Sequence, residues 1–481
     1  MERISPQLFY QYLTCPNWIW FDRFGDPEKK HDEPNEMQQT LLEQGIAFEK
    51  EYMAREFADK TVTTIVAHDW DAGVSATKKA MKAGAEIIYQ GYLRTEYYQG
   101  KPDLLFRREY TKSDKKSKYV NYYYEPVDIK SGSDLKEEYK YQLMLYALAL
   151  ADIQGYEPPD AGVITSTGEL VKFRTDSFRE KFYACLGKIE KILGGEKPPM
   201  QLTKACTNSP WYDCCVEEAE ATDDIALLYK VDKRALGALR DFGVKTVEDA
   251  RKIDPEAFGD SIPFLKKNGL ERMKMQAESL KTKEIFTRRA PKLPTAEFEI
   301  YFDIEGDPLH NVEYLFGFLI SENGRDVYKP FLAERPADEE KMWREFLNWI
   351  GSSDMRTKDY IVYHYAPYES TRLTTLSDRY KAGMSDADRL AIVQFRARMF
   401  DLNDIVKEDF IFPLYFYGLK QICKLLGFSW RSKKAGGAQS IFWYEEWLKT
   451  GDREILDTVV QYNEDDVLAT KFLRDWIHIK E

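Results

Sequence analysis

Acidic side chains recur along this chain at spacings that suit divalent-metal chemistry. Phe298-Glu-Ile-Tyr-Phe-Asp303-Ile-Glu305-Gly reads as an apolar strand closing on two carboxylates, and residues two apart on a strand share a face. Tyr360-Ile-Val-Tyr-His-Tyr-Ala-Pro-Tyr-Glu369 runs from a strand into a helix start. In Tyr462-Asn-Glu-Asp-Asp466 the helical i,i+4 spacing sets a hydroxyl and a carboxylate on one face. Any one of these pairs could be an exposed strand or helix end; three in this order are harder to dismiss. Four carboxylates gathered from these segments, Asp303, Glu305, Glu369 and Asp466, would suit the charge of divalent cations such as Mg²⁺ or Mn²⁺. Such ions stabilise the attacking and leaving oxygens of an in-line displacement on a phosphodiester. Without metal, four such carboxylates would repel one another and raise some of their pKa values.

A second set lies near the N-terminal end. Gly100-Lys-Pro-Asp103 precedes a strand, and Asp128-Ile-Lys130 ends the next one, so Asp128 and Lys130 can enter one site with Asp103 beside them. Two carboxylates and a lysine also suit metal-assisted phosphodiester cleavage, with the ammonium orienting the nucleophile or stabilising charge. Glu49 on an upstream helix can add a ligand, and Gln142 and Tyr146 lie one turn apart on the following helix. The cysteines are uneven: Cys15 stands alone, while Cys206, Cys214 and Cys215 fall close together, a spacing that fits either clustered metal-binding thiolates or inert buried thiols. Cys185 and Cys423 sit in apolar helical patterns and read as core.

The elements that must position these groups follow from periodicity. Helical patterns cover Pro6–Asp22, Gln38–Phe57, Leu135–Ile153 and Asp176–Leu193, and strand patterns cover Glu86–Tyr92, Leu104–Tyr110 and Tyr119–Ile129. Residues from about Thr222 to Arg289 are almost wholly helical, with a tight turn at Gly243 and a new helix start at Thr246. Two prolines in Arg289–Pro294 mark a linker. Strands at Phe298–Ile304, Tyr314–Ile320 and Val327–Phe331 then give way to alternating helices, an α/β signature. The 481 residues fit two to four domains, and 43% hydrophobic content supports real cores. The sequence shows no membrane-length apolar run and no signal-peptide pattern at Met1–Tyr12, so a cytoplasmic protein without a membrane partner is expected.

Taken in order, the N-terminal features with Cys15-Pro16 resemble the RecB-type branch of the PD-(D/E)xK nucleases over about residues 1–216. They are most similar to CRISPR-associated RecB-like exonucleases and the AddB nuclease domain. The resemblance implies a 4Fe–4S iron–sulfur cluster, with Cys15, Cys206 and Cys215 at its first, second and fourth positions. Ser209 stands at the usual third position, which leaves Cys214 as the substitute ligand or the cluster degenerate. The histidine usual in the helical motif is replaced by Phe48 or Glu49. The C-terminal set resembles the DnaQ-like 3′–5′ exonucleases of the RNase H-like fold, in the subclass with Tyr-x-x-x-Asp, over about residues 298–475. That resemblance implies Asp303, Glu305 and Asp466 as metal ligands and Tyr462 as the residue orienting the attacking water. Glu369 takes the place of an aspartate, and Lys420 lies near the substrate. Asp401 is either a further acid of that site or the cap of a helix at Leu402. His364 reads as a strand-end hydrogen-bonder.

The expected fold is thus multidomain α/β. It has a PD-(D/E)xK restriction-endonuclease-like core at 1–220, a helical helix–hairpin–helix-like linker domain at 221–290, and an RNase H-like DnaQ-type domain at 291–481. The expected function is metal-dependent cleavage of DNA, single-stranded or at ends, or of RNA, from two active sites, in end processing or repair. The alternatives are a chain in which only the C-terminal site cuts, and a non-catalytic nucleic-acid scaffold. No Gly-x-x-x-x-Gly-Lys-Ser/Thr loop is present, so unwinding would need a helicase partner. Three stretches are candidate nucleic-acid contacts, each with a second reading: Arg107, Arg108, Lys112, Lys115, Lys116 and Lys118 as a phosphate-tracking loop or a solvated hairpin, the Gly243 turn as a phosphate-binding helix–hairpin–helix element or a packing linker, and Trp430-Arg-Ser-Lys-Lys434 ahead of Gly436-Gly437 as a base-stacking loop or a cover of the exonuclease core. The net charge of −12 excludes a broad electrostatic grip on phosphates but not a local, metal-dependent one.

Overall fold

In the computed structural model the chain divides into two compact units, Met1–Glu218 and Ala219–Glu481. The structure describes residues 3–31, 36–110, 117–119, 121–132, 134–307, 311–432 and 437–481; of residues 36–42, 44, 437 and 438 it describes the backbone alone. Among these, no helix is long and apolar enough to cross a membrane.

The N-terminal unit opens with Pro6–Thr14 (α1) and Pro16–Phe24 (α2) in place of one helix over Pro6–Asp22. Cys15 is extended, at φ −156°, because a residue before proline is driven out of the helical region. Pro16 then starts α2, where its missing N–H breaks no helical bond. The main elements that follow are Glu36–Glu56 (α3), Val62–Thr64 (β1), Trp70–Lys82 (α4), Ile87–Tyr89 (β2), Leu104–Glu109 (β3), Tyr122–Ile129 (β4), Glu137–Gln154 (α5), Asp160–Ile164 (β5), Leu170–Arg174 (β6), Thr175–Leu193 (α6) and Tyr212–Ala221 (α7), the last of which contains the division at Glu218. The sheet runs in chain order, β1-β2-β3-β4-β5-β6. Its two parallel pairs, β1/β2 and β4/β5, are bridged by α4 and α5, as a parallel connection requires. Leu143–Leu150 is buried all round α5, which packs with α1 and α6 on the sheet. Phe9 stacks on Tyr141 and Phe182 at that junction.

In the C-terminal unit Lys233–Asp241 (α8), Val247–Lys252 (α9) and Lys267–Thr282 (α10) precede Phe286–Thr287 (β7). Next come Phe298–Asp307 (β8), Val312–Glu322 (β9), Arg325–Leu332 (β10), Glu339–Ile350 (α11), Tyr360–His364 (β11), Tyr368–Arg379 (α12), Asp386–Ala397 (α13), Met399–Asp401 (β12) and Leu402–Asp409 (α14). Phe410–Ile411 (β13), Leu419–Leu425 (α15), Gly437–Thr450 (α16) and Arg453–His478 (α17) complete it. The main sheet has the order β10-β9-β8-β11-β12, antiparallel through β8 and parallel beyond it. The helical segment expected as its own domain at 221–290 falls within this unit. The buried Gln276 amide on α10 donates to the carbonyls of Phe412 and Leu414, and Tyr417 donates to Gln276 Oε1 at 2.6 Å. Helix α17 lies across β8 and β9, which carries its polar face onto the end of β8. A register shift between Glu305 and Gly306 breaks the β8/β9 ladder directly after the two acids.

Candidate active sites

Asp303, Glu305 and Asp466 converge: one carboxylate oxygen from each lies within 4.8 Å of the others, the one such group of His, Cys, Asp or Glu among the described residues. Each acid is pushed up, foremost by burial. For Asp303 the charges of Glu305, Asp466 and Glu369 add to this; Glu305 is raised to about 8. Such repulsion is what a divalent cation relieves. Neutral donors hold the set in place: Trp430 Nε1 donates to Asp466 Oδ1 at 2.6 Å, and Asn463 Nδ2 donates to Asp303 Oδ2 at 2.7 Å. The fully buried Ser440 hydroxyl pairs with Tyr314 at 2.7 Å and bonds Glu305. Tyr462 is buried and its pKa pushed far up, by burial and then by Asp466, Glu305 and Asp303, so it remains a donor and bonds Asp466. Lys420 Nζ donates to the Tyr462 hydroxyl at 2.7 Å and lies 5.8 Å from the centroid of the Trp430 ring.

Glu369 is buried at the start of α12 but lies outside the converging trio. Its Oε2 is 3.3 Å from His364 Nδ1, and its charge still reaches Asp303 and Glu305. His364 also bonds the carbonyl of Ala366 at 2.8 Å, at the end of its strand. Asp401 caps α14 by accepting from Asn403 N and also accepts from Ala366 N, while its charge reaches Glu369 and His364.

The N-terminal groups also meet, with different charge balance. Asp128 is fully buried, and Lys130 Nζ faces its Oδ2 at 3.2 Å. Asp103 Oδ2 accepts from Ile129 N at 2.8 Å, while Asp103 N donates to Asp128 Oδ1 at 3.2 Å. Asp103 is held well above the usual carboxylate range by burial, then Asp128, with Lys130 opposing and Glu49 adding. Burial alone would lower Lys130, but Asp128 and Asp103 raise it to about 12. Glu49 accepts from Gln90 Nε2, and Gln90 holds a left-handed backbone at φ +57°. Gln142 donates to the Tyr146 hydroxyl at 2.8 Å, and Tyr146 donates to Lys101 O.

Three of the four clustered cysteines come together. Cys15 hydrogen-bonds Cys206 and Cys215; the bond to Cys206 pulls its pKa down, but Cys215 and burial push it up to about 12. Cys214 points away and donates to Lys29 O at 3.6 Å, while Ser209 accepts from Trp211 N. Cys185 and Cys423 lie in the apolar cores of their units.

The expected nucleic-acid contacts are partly spoken for. Arg107 donates to Gly84 O, Arg108 pairs with Glu125, and Lys118 donates to the carbonyls of Asp152 and Ile153. Lys112, Lys115, Lys116, Lys433, Lys434 and Gly436 lie outside the described residues. Lys118 also lines an open pocket of about 430 Å³ with Lys78, Lys82, Arg94 and Tyr119. Gly243 is left-handed at φ +84°, as a tight turn demands, but the N–H groups of Lys245 and Thr246 are already bonded to the Asp249 carboxylate. An acid thus occupies the place where a phosphate was expected. Arg431 is fastened to Asp465 and Glu464, and Trp430 to Asp466, so the described part of that loop lies against α17 instead of standing free.

Sequence reading missed Asn463, Ser440, Trp430 as an Asp466 partner, and Gln90. Asn463 had a signal, being next to Tyr462 in the helical motif; the other three had none short of the fold.

Residues 300–478 match the family model of the RNase_H superfamily. An RNase H-like domain occupies the C-terminal unit. It is a domain of the nuclease type, and its matched segment contains the whole carboxylate trio with Tyr462 and Glu369. No curated protein matches the chain.

Proposed function

We propose that the protein is a metal-dependent nuclease that hydrolyses phosphodiester bonds of DNA, with its principal active site at Asp303, Glu305 and Asp466. The observation that carries this is the convergence of three carboxylates, two buried and one half-buried, whose charges repel inside an RNase H-like segment. The donor set is all oxygen and anionic, which fits Mg²⁺ or Mn²⁺. Asp303, Glu305 and Asp466 would hold the metal, and Glu369, whose charge reaches Asp303 and Glu305, would have to leave His364 to add a further ligand. Bound there, the ion supplies charge stabilisation to the reacting phosphate and lowers the pKa of a water. The chain's own contribution is positioning. Tyr462, kept protonated, orients the attacking water; Lys420 adds a cation beside the phosphate; Trp430 and Asn463 fix the ligand oxygens. Action as a 3′–5′ exonuclease on single strands or ends, in repair or end processing and with a helicase partner, is the natural context of such a site.

The N-terminal unit is proposed as a RecB-like second nuclease site built on Glu49, Asp103, Asp128, Lys130, Gln142 and Tyr146. Its proposed iron–sulfur cluster would rest on Cys15, Cys206 and Cys215, with Cys214 having to turn inward to be the fourth ligand. One observation favours a second reading, in which this unit binds DNA without cutting: Asp128 already has an ion pair with Lys130, and Asp103 and Asp128 each accept a backbone N–H. The test is cleavage of end-labelled single- and double-stranded DNA and of RNA, in Mn²⁺ and in EDTA. Metal-dependent products are expected. A protein that cuts neither DNA nor RNA in Mn²⁺ leaves only the scaffold.

A further inference from the structure

Asn463 is fully buried beside the carboxylate trio, and three elements combine to keep it there. From α17 its Nδ2 donates to Asp303 Oδ2 at 2.7 Å and leans towards Asp303 O at 3.4 Å. From β10 the buried Tyr328 hydroxyl donates to Asn463 Oδ1 at 2.9 Å. From β9 comes an absence. Gly317 is the cross-strand partner of Asp303, and a Cβ there would fall 1.5 Å from Asn463 Oδ1 and 2.6 Å from its Cγ. No other residue fits at 317 while Asn463 keeps its place.

The direction of this chain is set by chemistry. A carboxylate oxygen only accepts unless it is protonated, so the amide must present N–H to Asp303 and C=O to the tyrosine. The reversed amide would oppose two acceptor oxygens. The donor is also neutral. A lysine at this place would balance Asp303, as Lys130 balances Asp128, and would compete with a divalent cation. An amide orients the carboxylate without cancelling its charge.

We propose that Asn463, held by Tyr328 and admitted by Gly317, is a positioning residue that engages Oδ2 of Asp303 and thereby leaves Oδ1 for the divalent cation. This rests on the reading of Asp303 as a metal ligand. The test is Mn²⁺ affinity of the full-length protein without nucleic acid, measured from the free-Mn²⁺ electron paramagnetic resonance signal. Wild type, Asp303→Asn, Tyr328→Phe, Gly317→Ala and the double variant Asn463→Leu/Tyr328→Phe are compared, with circular dichroism to confirm folding. The double variant keeps the volume, removes the donor and leaves no orphan hydroxyl. It and Gly317→Ala are expected to weaken the Asp303-dependent affinity roughly 10- to 100-fold, and Tyr328→Phe a few-fold. A folded double variant with wild-type affinity overturns the proposal. Should that variant not fold, unchanged affinity in folded Tyr328→Phe and Gly317→Ala overturns it equally. If Asp303→Asn itself leaves Mn²⁺ binding intact, the failure lies with the metal-centre reading.

Discussion

The two units gather acidic groups at a buried place, and they treat the charge in opposite ways. In the N-terminal unit Asp128 faces an ammonium at 3.2 Å, and a backbone N–H satisfies Asp103. In the C-terminal unit the nearby ammonium, Lys420, bonds a tyrosine hydroxyl and offsets the acids only through its charge, and the carboxylates receive hydrogen bonds from the neutral donors Asn463, Trp430, Ser440 and Tyr462. Burial makes an unbalanced trio costly. Lys420 offsets the C-terminal trio only in part and pairs directly with none of its acids, so the trio's charge calls for an external cation; in the N-terminal set Asp128 has a direct ion pair, although Asp103 stays raised by burial, Asp128 and Glu49. Two arrangements that look alike as lists of acids thus differ in what they demand from solution.

The largest test of that contrast compares equivalent neutralisations. Asp466→Asn should lower Mn²⁺-dependent cleavage by roughly 10³-fold, the effect of losing several kcal/mol of metal-borne stabilisation. Asp128→Asn should cost less than about tenfold in total cleavage, provided the C-terminal site does most of the cutting. Equal losses would break the comparison.

The two lysines sharpen it next. Lys130→Met strands a buried carboxylate and should destabilise the N-terminal unit by about 3 kcal/mol. Lys420→Met removes a bond to a hydroxyl and a charge that partly offsets three acids, but also frees the chain of a half-buried ammonium, and should cost less, about 1 kcal/mol. Calorimetry of the metal-free protein checks both, and the order of the two values is the point at issue.

A smaller effect concerns pH. Glu313 is raised from 4.5 to about 7, chiefly by burial, which Arg372 only partly offsets. An acid held above its unfolded value binds its proton more tightly when folded. Its contribution is full below about pH 4.5 and is lost as pH rises through about 7. Glu313→Gln should flatten the fall in melting temperature across that window by a few degrees. An unchanged slope would remove Glu313 from the account. The smallest effect lies on the surface of the N-terminal unit. Reversing Lys78 and Lys82 to glutamate should weaken single-stranded DNA binding only a few-fold. It should reduce the slope of log affinity against log salt by about 1.4 if both lysines contact phosphates.

Much of this was legible in the sequence, and the limits are physical. The acids of β8 and α17 could be read because their spacing obeys strand and helix periods, which are local. The helical pattern over Pro6–Asp22 hides the break at Cys15-Pro16, which the proline rule alone would have placed there. Cys214 and Cys215 are neighbours on a helix, roughly 100° apart, so only one could turn inward with Cys15; which one depends on packing. Glu369 was read as an equal member of the acidic set, yet its pairing with His364 exists only once β11 and α12 are placed. The role of Asn463 needed Tyr328 from one strand and a missing side chain on another, a three-element coincidence that no local pattern carries. Gln90 owes its contact with Glu49 to a left-handed backbone in a residue that does not favour it.

The most direct measurement is cleavage of an end-labelled single strand by wild type, Asp303→Asn, Asp128→Asn and the double variant, each in Mn²⁺ and in EDTA. Expected are wild-type products only with metal, near-complete loss in Asp303→Asn, most activity kept in Asp128→Asn, and none in the double variant. Undiminished, metal-dependent cleavage by Asp303→Asn would contradict the placing of the principal active site at Asp303.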